Sequence, residues 1–420
     1  MRLIFDNERN FLKKELNIDI PKDSAFMNKM CVKVIDEDGK WISLYRISCS
    51  NMKLELKSNN LDKIKNKKIK TWNDLILDNK EHLDWLEVNS KSTIKHYLEC
   101  DEYKNYKPTV TVSGGKDSAV VHYLVNQIIN NEETVFSNTS NETHYTYKYV
   151  KSQYPDATII SPDEGFYQFV DRTGFIPTRF GRACCTTQKE MPMIKKLSSE
   201  KRLFFMGMRK AESNTRAGYN EIWRNKRWGD KPWTAILPIL NWSDLDVLLF
   251  MLYKNIPFNP IYTFGFGRCG CTNCPFRSDY ELLLNKIFLE PYYNRWMIIL
   301  EKDFINNKKA PVLNCTLEEY KNGAWKSGRV REKATEDIIK EFSEQQNIEI
   351  ETSRKYFNNN TCSCCGKKIK QLDVGLSLKF YGRHIKKFKC IKCISKDFDV
   401  SEQELKNRAK EFKDKGCTLF

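Results

Sequence analysis

The chemistry-bearing residues of this chain fall into a few tight groups. The first is Ser113-Gly114-Gly115-Lys116-Asp117-Ser118, which follows the apolar run Thr109–Val112 and opens a predicted helix over Asp117–Ile129. Glycines let backbone approach an anion, and a helix N-terminus offers unpaired N–H groups and a favourable dipole. Ser113 and Ser118 add hydroxyl donors, Lys116 adds a charge, and Asp117 is placed to hold a magnesium ion that bridges phosphates. The plain alternative is a strand-to-helix turn without a ligand. The spacing is not G-x-x-x-x-G-K-[ST], so the Walker loop is excluded.

Cysteines form the other groups. Cys184-Cys185 stands far upstream of Cys271-x-x-Cys274-Pro275, so only the fold can bring the two together. A C-x-x-C pair chelates two irons of a cluster or one zinc, and a ligand-free redox pair is a third reading. Cys269, two residues before Cys271, reads as a spare thiol. Further on, Cys362-x-x-Cys365-Gly366 and Cys390-x-x-Cys393 have the spacing of a zinc ribbon, with Cys364 unused. Four thiolates on one Zn2+ would fold a segment too small to fold alone. Cys31, Cys49, Cys100, Cys315 and Cys417 are scattered and read as small hydrophobes.

Arg209 and Arg216 lie seven apart, just after the predicted strand Leu203–Met206. Guanidinium forks match phosphate and sulfate, although an exposed basic loop would look the same. Lys201–Lys231 carries nine Lys/Arg against three acids, interleaved with Tyr219, Trp223 and Trp228. That mixture suits stacking and phosphate contact on nucleic acid, and equally a solvated basic face. Residues 361–393 hold nine Lys/Arg and one acid, Asp373.

These groups need elements to carry them. Residues 1–107 read as an N-terminal α+β region: strands at Cys31–Ile35 and Trp41–Ile47, then helices over Trp72–Leu86 and Thr93–Glu99. Its role is not legible. Residues 108–330 alternate strands (Thr109–Val112, Thr134–Phe136, Thr158–Ile160, Leu203–Met206) with helices. This predicts an α/β domain with a doubly wound, mostly parallel sheet. Residues 331–360 read as a charged helical linker ending in Asn358-Asn359-Asn360, and 361–420 as a zinc-ribbon module.

Over 420 residues, 40% are apolar and 30% charged, which is a globular composition. A net charge of +16 favours polyanionic partners. No apolar run is long enough to cross a membrane, and the N-terminus lacks a secretory pattern. The expected compartment is therefore the reducing cytoplasm, where grouped cysteines bind metals rather than form disulfides.

The Ser113–Ser118 hexapeptide resembles the loop of the ATP pyrophosphatases, which adenylate a substrate and release pyrophosphate. Past it, the chain resembles the phosphoadenylyl-sulfate (PAPS) reductase family of that superfamily over residues 108–280. The carriers are the loop, the turn Asn138-Thr139 with Glu142 beyond it, and Gly207-Met208-Arg209-Lys210-Ala211-Glu212-Ser213-Asn214-Thr215-Arg216. The fourth is the pairing of Cys184-Cys185-x-x-x-Lys189-x-x-Pro192 with Cys271-x-x-Cys274-Pro275. The likeness implies an adenine nucleotide α-hydrolase-like sheet, ATP and Mg2+ at the loop, and Asn138 and Thr139 beside the nucleotide. It implies anion binding by the segment of Arg209, Glu212, Ser213 and Arg216. Cys184, Cys185, Cys271 and Cys274 would hold one 4Fe–4S cluster. The chain departs from the sulfite-forming reductases at its tail, where Lys415-Gly416-Cys417-Thr418-Leu419-Phe420 replaces their E-C-G-[IL]-H. The expected function is ATP-dependent activation coupled to sulfur transfer, onto nucleic acid (DNA or tRNA), with a cysteine desulfurase or another sulfur donor. A 4Fe–4S reductase of PAPS or adenylyl sulfate is the first alternative. A nucleic-acid-binding protein with a regulatory nucleotide site is the second.

Overall fold

The computed structural model describes residues 1–420 apart from 131, 308–314, 328–331, 347, 349–360, 382–386 and 415–420. The Asn358–Asn360 spacer and Cys417 therefore lie outside the described residues. The chain divides into two compact units, Met1–Glu351 and Thr352–Phe420.

The first unit holds two sheets. Strands β1 (Arg2–Leu3), β2 (Phe26–Asn28), β3 (Cys31–Ile35), β4 (Trp41–Ser50) and β5 (Lys53–Asn59) form an antiparallel sheet in sequential order. The second sheet contains β6 (Lys107–Val112), β7 (Glu133–Ser137), β8 (Thr158–Ile160), β9 (Arg202–Phe205), β10 (Ile222–Trp223) and β11 (Trp233–Ile236). Its order is β10-β11-β9-β6-β7-β8, parallel throughout except for the edge strand β10. Strand order reverses beside β6, between β7 on one side and β9 on the other. Open α/β sheets bind ligands at such a switch point, outside the strand C-termini.

Alternation along the strands explains the double winding. Leu203, Phe205 and Ile236 face the helices Lys116–Asn126 and Asp244–Tyr253. Their neighbours Phe204 and Ala235 face the helices Phe166–Thr173 and Met191–Leu197 on the other side. The fold class matches the expectation. Strand β11, which the sequence reading did not mark, completes the sheet beside β9.

The N-terminal helices depart from expectation. One helix spans Trp72–Asp78, opened by a reciprocal Thr71–Asp74 capping box, and a second runs unbroken over Lys80–Glu99. The polar stretch around Ser90 does not interrupt it, because buried Ser90 donates to the Pro238 carbonyl (2.8 Å) and accepts from Trp242 Nε1 (3.2 Å). Tertiary partners satisfy a hydroxyl that propensity alone reads as a break.

The antiparallel sheet and the helix Asp6–Leu16 pack against Ile261, Tyr262, Phe266 and the helix Asp279–Phe288. Buried Glu8 pairs with Arg2 and accepts from Tyr280 Oη (2.7 Å). A Cβ on Gly265, whose φ is +97°, would fall 2.6 Å from the Glu8 carboxyl carbon. The N-terminal region thus supports the segment that carries Tyr262 and Cys269–Cys274.

In the second unit, the described helices are Gln371–Phe380, Ile391–Phe398 and Glu402–Asp414, around a small core of Leu376, Ile394, Leu405 and Ala409. The first cysteine knuckle closes with an isolated Thr361–Lys368 bridge, and the second opens the helix Ile391–Phe398.

Candidate functional site: a phosphate loop beside four cysteines

Strand β6 ends at Val112 and the helix begins at Lys116, so Ser113–Gly115 must turn sharply. Gly114 takes φ +72°, and a Cβ there would lie 2.8 Å from Thr146 Cγ2. The loop fixes itself. Ser113 N–H donates to Ser118 Oγ (3.1 Å), and Ser118 Oγ donates to the Gly115 carbonyl (2.9 Å). Asn259 Nδ2 donates to the Gly114 carbonyl (3.0 Å), and Lys116 N–H donates to Tyr262 Oη (3.0 Å).

Charge is arranged in a chain behind the loop. Lys116 Nζ meets Asp117 Oδ2 at 2.7 Å, and Arg209 Nε meets Asp117 Oδ1 at 2.5 Å. Arg209 also reaches Asp244 Oδ1 (2.8 Å) and the Trp242 carbonyl (3.1 Å). Burial pushes the Asp117 carboxyl up, but Lys116 and Arg209 outweigh it and hold the group below the usual carboxylate range. One expectation needs correction here. Arg209 is 0% exposed, with every guanidinium nitrogen engaged, so it orients Asp117 and presents no face to a substrate anion. Asp117 has a cation against each oxygen, Lys116 at one and Arg209 at the other.

Of the segment after β9, Glu212 accepts from Arg209 N–H (2.9 Å) and pairs with Arg216, whose own N–H donates to Ser213 Oγ (3.3 Å). Arg216 is the partly exposed guanidinium of the set. The wider basic run is less available than its composition implies. Arg202 pairs with Glu133 and Glu200, Arg227 with Glu190, and Arg224 donates to the carbonyls of Gly229, Lys231 and Trp233. Trp228 is buried against Phe204 and Trp233. Tertiary structure has consumed these groups as braces.

The turn after β7 meets the cysteine loop. Asn138 Nδ2 donates to Ser161 Oγ (2.9 Å). Thr139 donates through N–H and Oγ to Glu142 (2.9 and 2.7 Å), and Thr139 Oγ lies 3.4 Å from Cys271 Sγ. Burial pushes the Glu142 carboxyl up, against the pull of Thr139 and Lys189.

Cys184 and Cys185 sit on the short helical turn Ala183–Cys185, which runs into a widened π-type turn, Thr186–Glu190. Such turns are frequent at functional sites. Cys271 and Cys274 come from the loop before the helix Asp279–Phe288. The four thiols feel one another: Cys184 is raised by its hydrogen bond to Cys185 and by burial, then by the charges of Cys185, Cys271 and Cys274. Its partner Cys185 is lowered to about 6, chiefly by that same bond, with Arg182 and Lys189 assisting against burial. Burial raises Cys271, and the nearby Glu142 carboxyl adds to it. Yet no three of these sulfurs converge within 4.8 Å; among the described residues only Cys362, Cys365, Cys390 and Cys393 do. A tetrahedral zinc needs sulfurs about 3.8 Å apart, from Zn–S of about 2.3 Å. In the downstream set, Cys365 and Cys390 sulfurs stand 3.7 Å apart, as a single zinc requires, with Cys364 exposed and outside the set.

Sequence reasoning missed the residues that lock this loop. Arg277, 1% exposed, donates to the carbonyls of Cys271 (2.9 Å) and Gly270 (3.1 Å). Asn141 accepts from Thr272 N–H (2.7 Å), Thr272 Oγ (2.8 Å) and Asn273 Nδ2 (3.1 Å), tying the turn after β7 to the cysteine loop. The one available signal was Arg277's position just after Cys274-Pro275. Cys269 stands apart from the four. It packs with Tyr262, and its thiol is pushed up to about 12 by burial, against the Tyr262 hydroxyl and nearby cations.

The Ser113–Ser118 turn thus lies at the switch point of a parallel α/β sheet that also carries the paired cysteines. Residues 107–277 match the phosphoadenosine phosphosulfate reductase domain, so the chain carries a domain of the PAPS reductase family. That segment contains the loop, the Asn138–Glu142 turn and all four upstream cysteines. An uncharacterised protein of Methanocaldococcus jannaschii is 31% identical over 233 residues, 54% of this chain and 56% of that protein. The chain thus spans a little over half the length of that relative. Adenosine 5'-phosphosulfate reductase of Bacillus mycoides is 26% identical over 180 residues, 41% of this chain and 75% of the enzyme. The U34-tRNA thiolase NcsA of Methanococcus maripaludis, solved with its [4Fe-4S] cluster, aligns with a TM-score of 0.32 and 14% identity, covering 68% of this chain and 84% of the thiolase. No described helix is long and apolar enough to cross a membrane.

Proposed function

We propose that the chain is an ATP-pyrophosphatase-type enzyme that adenylates a substrate and couples this to sulfur transfer. The observation that supports the reading is the Thr139–Cys271 contact, between the turn that the reading sets beside the nucleotide and the cysteine loop. An acceptor oxygen attacks the α-phosphorus of ATP; the α–β phosphoanhydride bond breaks and pyrophosphate leaves. The loop N–H groups, the hydroxyls of Ser113 and Ser118 and the charge of Lys116 stabilise the departing oxygens. Asp117, fixed by Arg209, positions Lys116. A sulfur nucleophile from a donor then displaces AMP from the adenylated acceptor.

Cys184, Cys185, Cys271 and Cys274 would hold a 4Fe–4S cluster, which would supply one-electron chemistry. Cys362, Cys365, Cys390 and Cys393 would hold a structural Zn2+. The acceptor we favour is nucleic acid, because Lys367, Lys368 and Lys370 are exposed in the first knuckle of a net-basic unit. A second reading, reduction of adenylyl sulfate, is favoured by the adenosine 5'-phosphosulfate reductase relatives. The test is pyrophosphate release from ATP by anaerobically purified protein, with tRNA or duplex DNA added. Acceptor-stimulated pyrophosphate supports the proposal. Sulfite formed from adenylyl sulfate without ATP consumption replaces it with the reductase.

A further inference from the structure

Tyr262 lies 5% exposed on the turn Pro260–Phe264, capped by the same Asn259 that holds the Gly114 carbonyl. Its hydroxyl accepts the Lys116 N–H at 3.0 Å, and a Cβ on Gly115 would fall 3.5 Å from it. It therefore stands over the loop, on a donor at the very start of the helix. The first N–H groups of a helix have no intrahelical acceptor and are the ones an anion takes. The phenol occupies one of these donors. Cys269, on the segment that follows, packs against the same buried cluster as Tyr262. Two residues further on, Arg277 clamps the carbonyls of Gly270 and Cys271.

We propose that Tyr262 is an internal placeholder for a phosphate oxygen, and that its displacement by a bound pyrophosphate group transmits loop occupancy to the Cys269–Cys274 segment. This rests on the phosphate-loop reading above. A charged phosphate oxygen makes a stronger hydrogen bond to an N–H than a neutral phenol does, so the exchange runs in the required direction. Once the Lys116 N–H is claimed, the phenol is displaced from the loop and its packing against Cys269 loosens. The cysteine loop then loses one of its anchors on the loop side. No bond is made or broken and no proton leaves its oxygen. Tyr262 is a positioning residue, remote from the bond that is cleaved.

The probe is inorganic pyrophosphate, with full-length protein purified anaerobically. Equilibrium dialysis gives its affinity for the wild type and for Tyr262→Phe. Amide hydrogen exchange follows the segments 113–120 and 266–276 with and without it. Removing a competing hydrogen bond should tighten binding in Tyr262→Phe by roughly threefold to tenfold. In the wild type, pyrophosphate should change exchange in 266–276 at least about twofold; in the variant that segment should respond only to a much smaller degree. Equal affinities of the two proteins overturn the placeholder role. An unchanged 266–276 segment in the pyrophosphate-bound wild type overturns the coupling, and needs no variant to show it. Pyrophosphate that fails to bind the wild type at all overturns the phosphate-loop reading, and this inference with it.

Discussion

Gly207 and Asp117 touch through their backbones: a Cβ on Gly207 would fall 2.5 Å from the Asp117 carbonyl carbon and 2.7 Å from the Ser118 nitrogen. The strand end after β9 is thereby pressed directly onto the phosphate loop after β6. No side chain can give way there, because both sides of the contact are main chain.

Gly207→Ala should therefore displace the loop. Overpacking of this kind costs about 1–3 kcal/mol. Thermal unfolding should show a drop of several degrees, and pyrophosphate release should fall more steeply than stability alone explains. A variant with wild-type turnover would mean that the two segments separate without consequence.

Lys116→Ala should abolish ATP turnover while leaving the circular dichroism spectrum unchanged. It removes a charge that faces the departing phosphates, a loss of several kcal/mol of transition-state stabilisation, of order 10²–10³ in rate. Asp117→Ala is a harsher change than the sequence suggests. It strips one of the two carboxylate partners from a fully buried guanidinium, so its expression and melting temperature should fall together.

Asp117 also sets a pH dependence. Its folded pKa lies below the unfolded value, so its contribution to stability is full above the ordinary carboxylate range and lost as pH falls through the folded pKa. Urea titrations at stepped pH should show wild-type stability falling on acidification below about pH 4. Asp117→Asn should flatten that part of the profile. Superimposable profiles would show that the pairing with Lys116 and Arg209 contributes nothing to the fold.

Cys271→Ala and Cys274→Ala should each bleach the brown charge-transfer absorption of anaerobic protein. Cys269→Ala should retain it, because Cys269 packs with Tyr262 rather than with the other four thiols. Iron and sulfide analysis checks the outcome. Colourless wild-type protein with one zinc at the upstream cysteines would refute the cluster assignment.

Cys365→Ala should release one zinc and unfold the residues around 361–414, leaving the cluster spectrum intact. Separately, binding to duplex DNA or tRNA should weaken with salt. Lys367, Lys368 and Lys387 are exposed, whereas Lys389 is committed to Asp397 at 2.5 Å. Reversing the three exposed lysines to Glu should lower the log–log salt slope by up to about three, at roughly 0.9 per phosphate contact. Gel-shift titrations across salt provide the measurement.

The sequence by itself determined the hexapeptide loop, the parallel α/β class and the grouping of cysteines. Each of these is local: a glycine turn after an apolar run, strand–helix alternation, a chelate of short span. Tertiary structure decided everything that depends on what a side chain meets across the fold. Arg209 looked like an anion receptor and is a buried brace, because Asp117 and Asp244 from other segments close on it. Most guanidinium groups of Lys201–Lys231 looked like a binding face, but carbonyls and acids of the same unit take them up. Asn141, Tyr262 and Arg277 had no pattern to announce them, since an Asn, a Tyr or an Arg acquires its role from distant partners. The cysteine pairs could be matched to one another only by resemblance until the folded chain carried Cys184 and Cys185 toward Cys271 and Cys274.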